Sequence, residues 1–196
     1  FYNYKQLSIQ QGFPAAVTTL YDNGDGSIWI GTALGLYRFN GVSVQRCPDA
    51  HPEQRSTLYV NDIVGDYQGR IWELVIDGVG YCTEENDTVR LLTLNGQPVK
   101  ATALKAEKEE LWIATADTLL VYDTHLSLKR TLVFSDRHEF LYDVTDYDPR
   151  HYLVRTGRKQ LWLLDKESGR LLPPPFRPTE GVHHLYADSQ GCFWIS

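Results

Sequence analysis

Four tryptophans and one tyrosine fall at near-equal intervals, and that spacing restricts the fold more than any other feature of the chain. Trp29, Trp72, Trp112, Tyr152 and Trp194 are separated by 43, 40, 40 and 42 residues. A fixed period of this length marks a repeat in which one supersecondary unit recurs. The unit is legible around Trp29. Val17 to Tyr21 is β-prone and runs into Asp22-Asn23-Gly24-Asp25-Gly26, a turn whose glycines readily take positive φ. Ser27 to Thr32 alternates as a second strand, Leu36 to Phe39 gives a third, and Asn40-Gly41 is a strong hairpin signal leading into Val42 to Arg46. Four short antiparallel strands every forty residues, with no helical periodicity, predict β-propeller blades.

The expected fold is therefore all-β: a β-propeller of four-stranded antiparallel blades. About four and a half blades are present, a partial ring of which seven would close the native one. The blades are placed at 17–47, 60–94, 99–134 and 141–173, with an incomplete one at 182–196. A single blade cannot bury both faces, so neighbours must stack. Trp29, Trp72, Trp112, Tyr152 and Trp194 are expected to be the packing residues between blades. Gly31, echoed by Ala114-Thr115 and Thr156-Gly157, is expected where one strand approaches its neighbour closely.

Composition removes several classes. The net charge is −6, whereas a nucleic-acid binder usually carries a cationic surplus; no nucleic-acid partner is expected of this segment. No apolar run approaches the length needed to span a bilayer. Cys47, Cys82 and Cys192 are odd in number and in no CxxC spacing, which predicts buried small hydrophobes in place of a zinc site. Asp22 to Asp25 supplies too few ligand positions for a calcium loop, and His183-His184 would point to opposite faces of a strand. No nucleophile with an evident base and no phosphate-binding glycine loop is present. The expectation is no cofactor, no metal and no catalytic residue in this segment. Methionine is absent, so the chain reads as a processed or excised piece.

The segment IWIGTALGLYRFNG, preceded by a strand and an acidic-glycine turn, resembles the two-component regulator propeller repeat. FYNYKQLSIQQGFPAAVTTL resembles the mature start of sensors built from it. Repeat two departs with Glu73-Leu74 where GT-type residues belong, and repeats three and four lack the turn glycines, at 106–110 and 148–150. The resemblance implies the periplasmic sensor region of a hybrid two-component histidine kinase and response regulator from a polysaccharide-degrading bacterium. It further implies a homodimer, an inner-membrane anchor supplied by a segment not present here, and blades continuing beyond Ser196. Residues 4–10 would form the outer strand that closes the ring.

In propellers the loops between blades and the turns between second and third strands share one face. Here those are 47–59, 95–98, 135–140 and 173–183, with turns around Asp77, Asp117 and Arg158. Long loops on a rigid scaffold are the usual place for recognition, and Arg with aromatics suits hydroxyl-rich or anionic sugars. The expected ligand is an oligosaccharide, with Arg55, Tyr59, Arg137, His138, Tyr142, Arg158 and His183 as candidate contacts. Two other readings remain open. One is a propeller lyase using Tyr142, His183 and His184 near the central channel. The other is a protein-docking scaffold.

Overall fold

The computed structural model describes residues 16–134, 140–176, 181–188 and 190–196. The proposed ring-closing strand at 4–10 lies outside them. The chain divides into two compact units, residues 1–65 with 69–99 and residues 66–68 with 100–196.

The first unit holds two four-stranded antiparallel meanders. One runs β1 (Val17–Asp22), β2 (Ile28–Thr32), β3 (Gly35–Phe39) and β4 (Val44–Arg46). The other runs β5 (Val60–Gly65), β6 (Arg70–Val75), β7 (Gly78–Thr83) and β8 (Arg90–Leu91), followed by a small hairpin of β9 (Thr93–Leu94) and β10 (Gln97–Pro98). The turn after β1 forms because Asp22 accepts the Gly24 N–H at 2.8 Å and Asp25 accepts both the N–H and the hydroxyl of Ser27. Gly24 and Gly26 take φ of 76° and 93° there, a region that costs other residues strain. The fourth strand begins at Val44 and not, as the sequence suggests, at Val42. Asn40 Oδ1 takes the N–H groups of Val42 and Ser43 at 3.0 and 2.9 Å, which withdraws them from the ladder.

These two sheets share one buried cluster containing Trp29, Leu36, Cys47, Val60, Ile63, Ile71, Val75, Cys82 and Val89. Close approach requires glycine at Gly31. A Cβ there would lie 2.5 Å from Thr19 Cγ2 and 2.9 Å from Val60 Cγ1. Thr18 Oγ1 adds a hydrogen bond to the Val60 carbonyl at 2.5 Å.

The second unit holds β11 (Ala103–Ala106), β12 (Glu110–Ala114), β13 (Thr118–Asp123) and β14 (Leu128–Val133) as one meander. A second comprises β15 (Leu141–Asp148), β16 (His151–Thr156), β17 (Leu161–Asp165) and β18 (Leu171–Leu172), and a pair follows, β19 (Leu185–Ala187) with β20 (Phe193–Ile195). The turns without glycine close by other means. Asp148 Oδ1 accepts the N–H groups of Arg150 and His151 at 2.7 and 2.8 Å, and Glu107 N–H bonds the Glu110 carbonyl at 2.8 Å.

The aromatics that set the period occupy one place, the second strand of their sheets. Trp29, Trp72 and Tyr152 are fully buried and Trp112 nearly so, each worth about 2–3 kcal/mol by area. Trp112 and Tyr152 meet edge to face, centroids 5.3 Å apart at 81°, the arrangement aromatic quadrupoles prefer. A cation lies over every one of these rings: Arg38 over Trp29, Arg70 over Trp72, Arg130 over Trp112 and Lys166 over Tyr152, at 5.4, 5.7, 5.2 and 4.0 Å. Trp194 departs from the packing role expected of it. It is 64% exposed and its indole N–H donates to Asp188 at 3.0 Å, because no further described strand covers the β19–β20 pair on that side.

Gly31→Ala is expected to cost about 1–3 kcal/mol through overpacking. Gly157→Ala, where a Cβ would meet Tyr142 only at 3.4 Å, should cost well under half as much. Urea denaturation of the two variants side by side checks the contrast.

Candidate functional site

In the first unit the loop from 47 to 59 is a built structure. It carries a single 3-10 turn at Pro52–Gln54, and Asp49 forms a parallel bridge to Val89. Arg55, expected to reach a ligand, points inward instead. Its side chain is 3% exposed and pairs with Asp49 Oδ1 at 2.6 Å and with Glu73, itself fully buried on β6. The correction has a simple cause. A carboxylate sealed inside a sheet must find a cation, and the guanidinium of the covering loop supplies it. Burial still pushes the Glu73 carboxyl above its ordinary range, while the charge and hydrogen bond of Arg55 pull the other way. The next residue pins the loop to the β6–β7 turn: Ser56 N–H and hydroxyl donate to Asp77 Oδ2 at 2.6 and 2.5 Å. Burial works against ionisation of Asp77, but the Ser56 donors prevail and hold it below the usual carboxylate range. Tyr59 stays exposed at the end of the loop.

In the second unit the corresponding end gathers an aromatic and cationic patch. Phe140 and Tyr142 are exposed at the start of β15. The Arg155 guanidinium lies 5.2 Å from the Tyr142 ring centre and its Nε donates to Asp143, its cross-strand partner. The same Asp143 oxygen accepts the Leu185 N–H at 3.2 Å, which ties β19 to β15. The β16–β17 turn carries exposed Arg158 and Lys159; Lys159 Nζ and His183 Nε2 are 3.3 Å apart, and the Val182 N–H donates to the Lys159 carbonyl at 2.8 Å. His183 and His184 precede β19 and do not lie on it; both direct their N–H groups to the Ser196 carbonyl. Tyr142, Arg158 and His183 thus stand at one end of one unit. Arg137 and His138 lie outside the described residues. Phe140, Arg155 and Lys159 belong to the same patch and were not singled out by sequence. The pairing of Asp143 with Arg155 in register was the only signal that could have shown Arg155, and it needs the strand alignment first.

At the opposite end of the second unit is a cavity of about 270 Å³ lined by Glu110, Trp112, Arg130, Arg150, Asp165 and Lys166. Its charges pair internally, Arg130 with Glu110 at 3.2 Å and Arg150 with Asp165 at 3.6 Å. Among the described residues no cluster of three or more His, Cys, Asp or Glu could hold a metal ion. No described helix is long and apolar enough to cross a membrane.

No protein-family model matches the chain, and no curated protein sequence matches it. Solved structures do. The extracellular domain of a hybrid two-component system from B. thetaiotaomicron superposes with a TM-score of 0.76 at 17% identity, covering 97% of this chain and 29% of that one. A virginiamycin B lyase from Staphylococcus aureus gives 0.67 at 12% identity, covering 92% and 62%. The WD40 β-propeller domain of Doa1 gives 0.62 at 14% identity, covering 91% and 60%. The fold is thus a β-propeller of four-stranded antiparallel blades, and the chain spans under a third of the length of the extracellular domain it matches.

Arg55→Ala strands two carboxylates and is expected to cost about 3–5 kcal/mol. Glu73→Gln should act differently. An acid whose folded-state pKa is raised binds more protons folded than unfolded just above pH 4.5, so stability falls as pH rises through that window. Glu73→Gln should flatten this fall, read as denaturation midpoints from pH 4 to pH 8.

Proposed function

We propose that this chain is part of the periplasmic, non-catalytic sensor region of a hybrid two-component membrane protein, and that it recognises an oligosaccharide. The observation that carries the reading is the likeness in fold, over nearly the whole chain, to an extracellular domain of such a system. The repeat IWIGTALGLYRFNG supports the same family. The exposed patch of Phe140, Tyr142, Arg158 and His183 supports the ligand class. Aromatic faces stack on the apolar faces of sugar rings, and guanidinium groups fork to hydroxyls or to a sugar carboxylate. Tyr59 presents a further exposed ring in the first unit. Signalling requires that the ligand bind one arrangement of a dimer more tightly than the other; the dimer and the membrane anchor belong to the longer protein.

Titration of the complete extracellular region with a panel of neutral and acidic oligosaccharides should give saturable heat with at least one. Tyr142→Ala and Arg158→Ala should each weaken that binding about tenfold or more, a loss of ~1.4 kcal/mol, with the thermal midpoint unchanged. A flat trace across the panel overturns the ligand class.

A second reading, a propeller lyase, draws on the likeness to virginiamycin B lyase and on the Lys159–His183 pair. It requires turnover of a lactone or uronate polymer that His183→Ala abolishes.

A further inference from the structure

Cys47 and Cys82 belong to different blades of the first unit, and the fold brings them together. Cys47 follows β4, its N–H bonded to the Leu36 carbonyl at 2.9 Å. From there the chain runs beside Val89: the Val89 N–H donates to the Pro48 carbonyl and the Ala50 N–H to the Val89 carbonyl, both at 2.8 Å. On the other side of Val89, β7 and β8 pair Tyr81 with Arg90, so one step along the register sets Cys82 opposite Val89. All three residues lie in one buried cluster. The Cys47 thiol is hydrogen bonded to that of Cys82. Their relative exposures are 2% and 3%.

We propose that Cys47 and Cys82 form a disulfide that staples the first blade to the second. Thiols already in hydrogen-bonding contact need only a small further approach to reach bonding geometry. The oxidant is a small-molecule or protein disulfide. One cysteine thiolate attacks it, forming a mixed disulfide and expelling a thiolate; the second cysteine thiolate attacks the protein-side sulfur and expels the other. Two protons and two electrons leave the cysteines, and the oxidant ends as two thiols.

The fold also sets the order of events. In the closed structure the Cys47 thiol resists ionisation, first through its hydrogen bond with Cys82 and then through burial. The attacking thiolate therefore forms while the blades are still open, and packing then encloses the bond where reductants reach it slowly. Cys192, exposed in the turn before β20, has no such neighbour among the described cysteines and serves as an internal reference.

The full chain, reduced in denaturant and refolded with glutathione disulfide, is alkylated in denaturant without reductant and mapped by mass spectrometry. The expected product is a Cys47–Cys82 linked peptide with alkylation at Cys192 alone. Reduction should lower the thermal midpoint of the wild type and of Cys192→Ser by about 5–10 °C, and leave that of Cys82→Ala where it was. Alkylation of both Cys47 and Cys82 after refolding, or a link from either to Cys192, overturns the proposal.

Discussion

The burial of one large ring on the second strand of each sheet is the interaction on which the rest of this structure depends. A four-stranded meander presents two faces and has no helix to cover either, so the sheets bury each other. An indole or phenol at the same place in successive sheets fills the wedge between them, as Trp112 and Tyr152 do edge to face. Burying a ring with a polar edge creates a second requirement. The Trp29 and Trp112 N–H groups have no hydrogen-bond partner, while a guanidinium lies over each ring face. Those guanidinium groups are fixed in turn by carboxylates, Arg38 by Glu84 and Arg130 by Glu110. Ring, cation and acid form a layered motif that repeats although its members come from different sequence positions. Arg38 is the cross-strand partner of Trp29, while Arg130 reaches Trp112 from two strands away through Val121.

The second blade shows what happens when the repeat breaks its own rule. Where the first has Ile30 and Gly31 after its tryptophan, the second has Glu73 and Leu74. A carboxylate at that depth is tolerated because the preceding loop turns Arg55 and Asp49 toward it. The same loop is then fastened to the β6–β7 turn through Ser56 and Asp77. A long connection that would otherwise be free is thereby held in one conformation, and Tyr59 is presented from a fixed base.

The blade pattern was legible because it is periodic and carried by residue types with strong local preferences. Asp-Asn-Gly-Asp-Gly, Asn-Gly and the spaced aromatics each speak for themselves. Turns lacking glycine were harder to read, since Asp148 and Glu107 replace backbone freedom with side-chain or main-chain hydrogen bonds. The candidate site was legible only as a face. Sequence placed Tyr142, Arg158 and His183 on the correct kind of loop or strand end, but a position on a loop does not tell whether a side chain points out or in. Arg55 was misread for that reason: its partner is eighteen residues away, and no local pattern announces the pairing. Arg155 was passed over for the converse reason, since its partner Asp143 becomes visible only once β15 and β16 are in register.

Gly80 offers a last lesson. A Cβ at this position would lie 2.7 Å from Glu73 Oε1, 2.7 Å from Val89 Cγ1 and 2.8 Å from an Arg55 terminal nitrogen. The hollow that receives the buried ion pair is therefore the missing side chain of a third residue. Positions 55, 73 and 80 consequently behave as one heritable unit: descendants that lose the acid are released to gain a methyl at 80, and those that gain it first forfeit the pair.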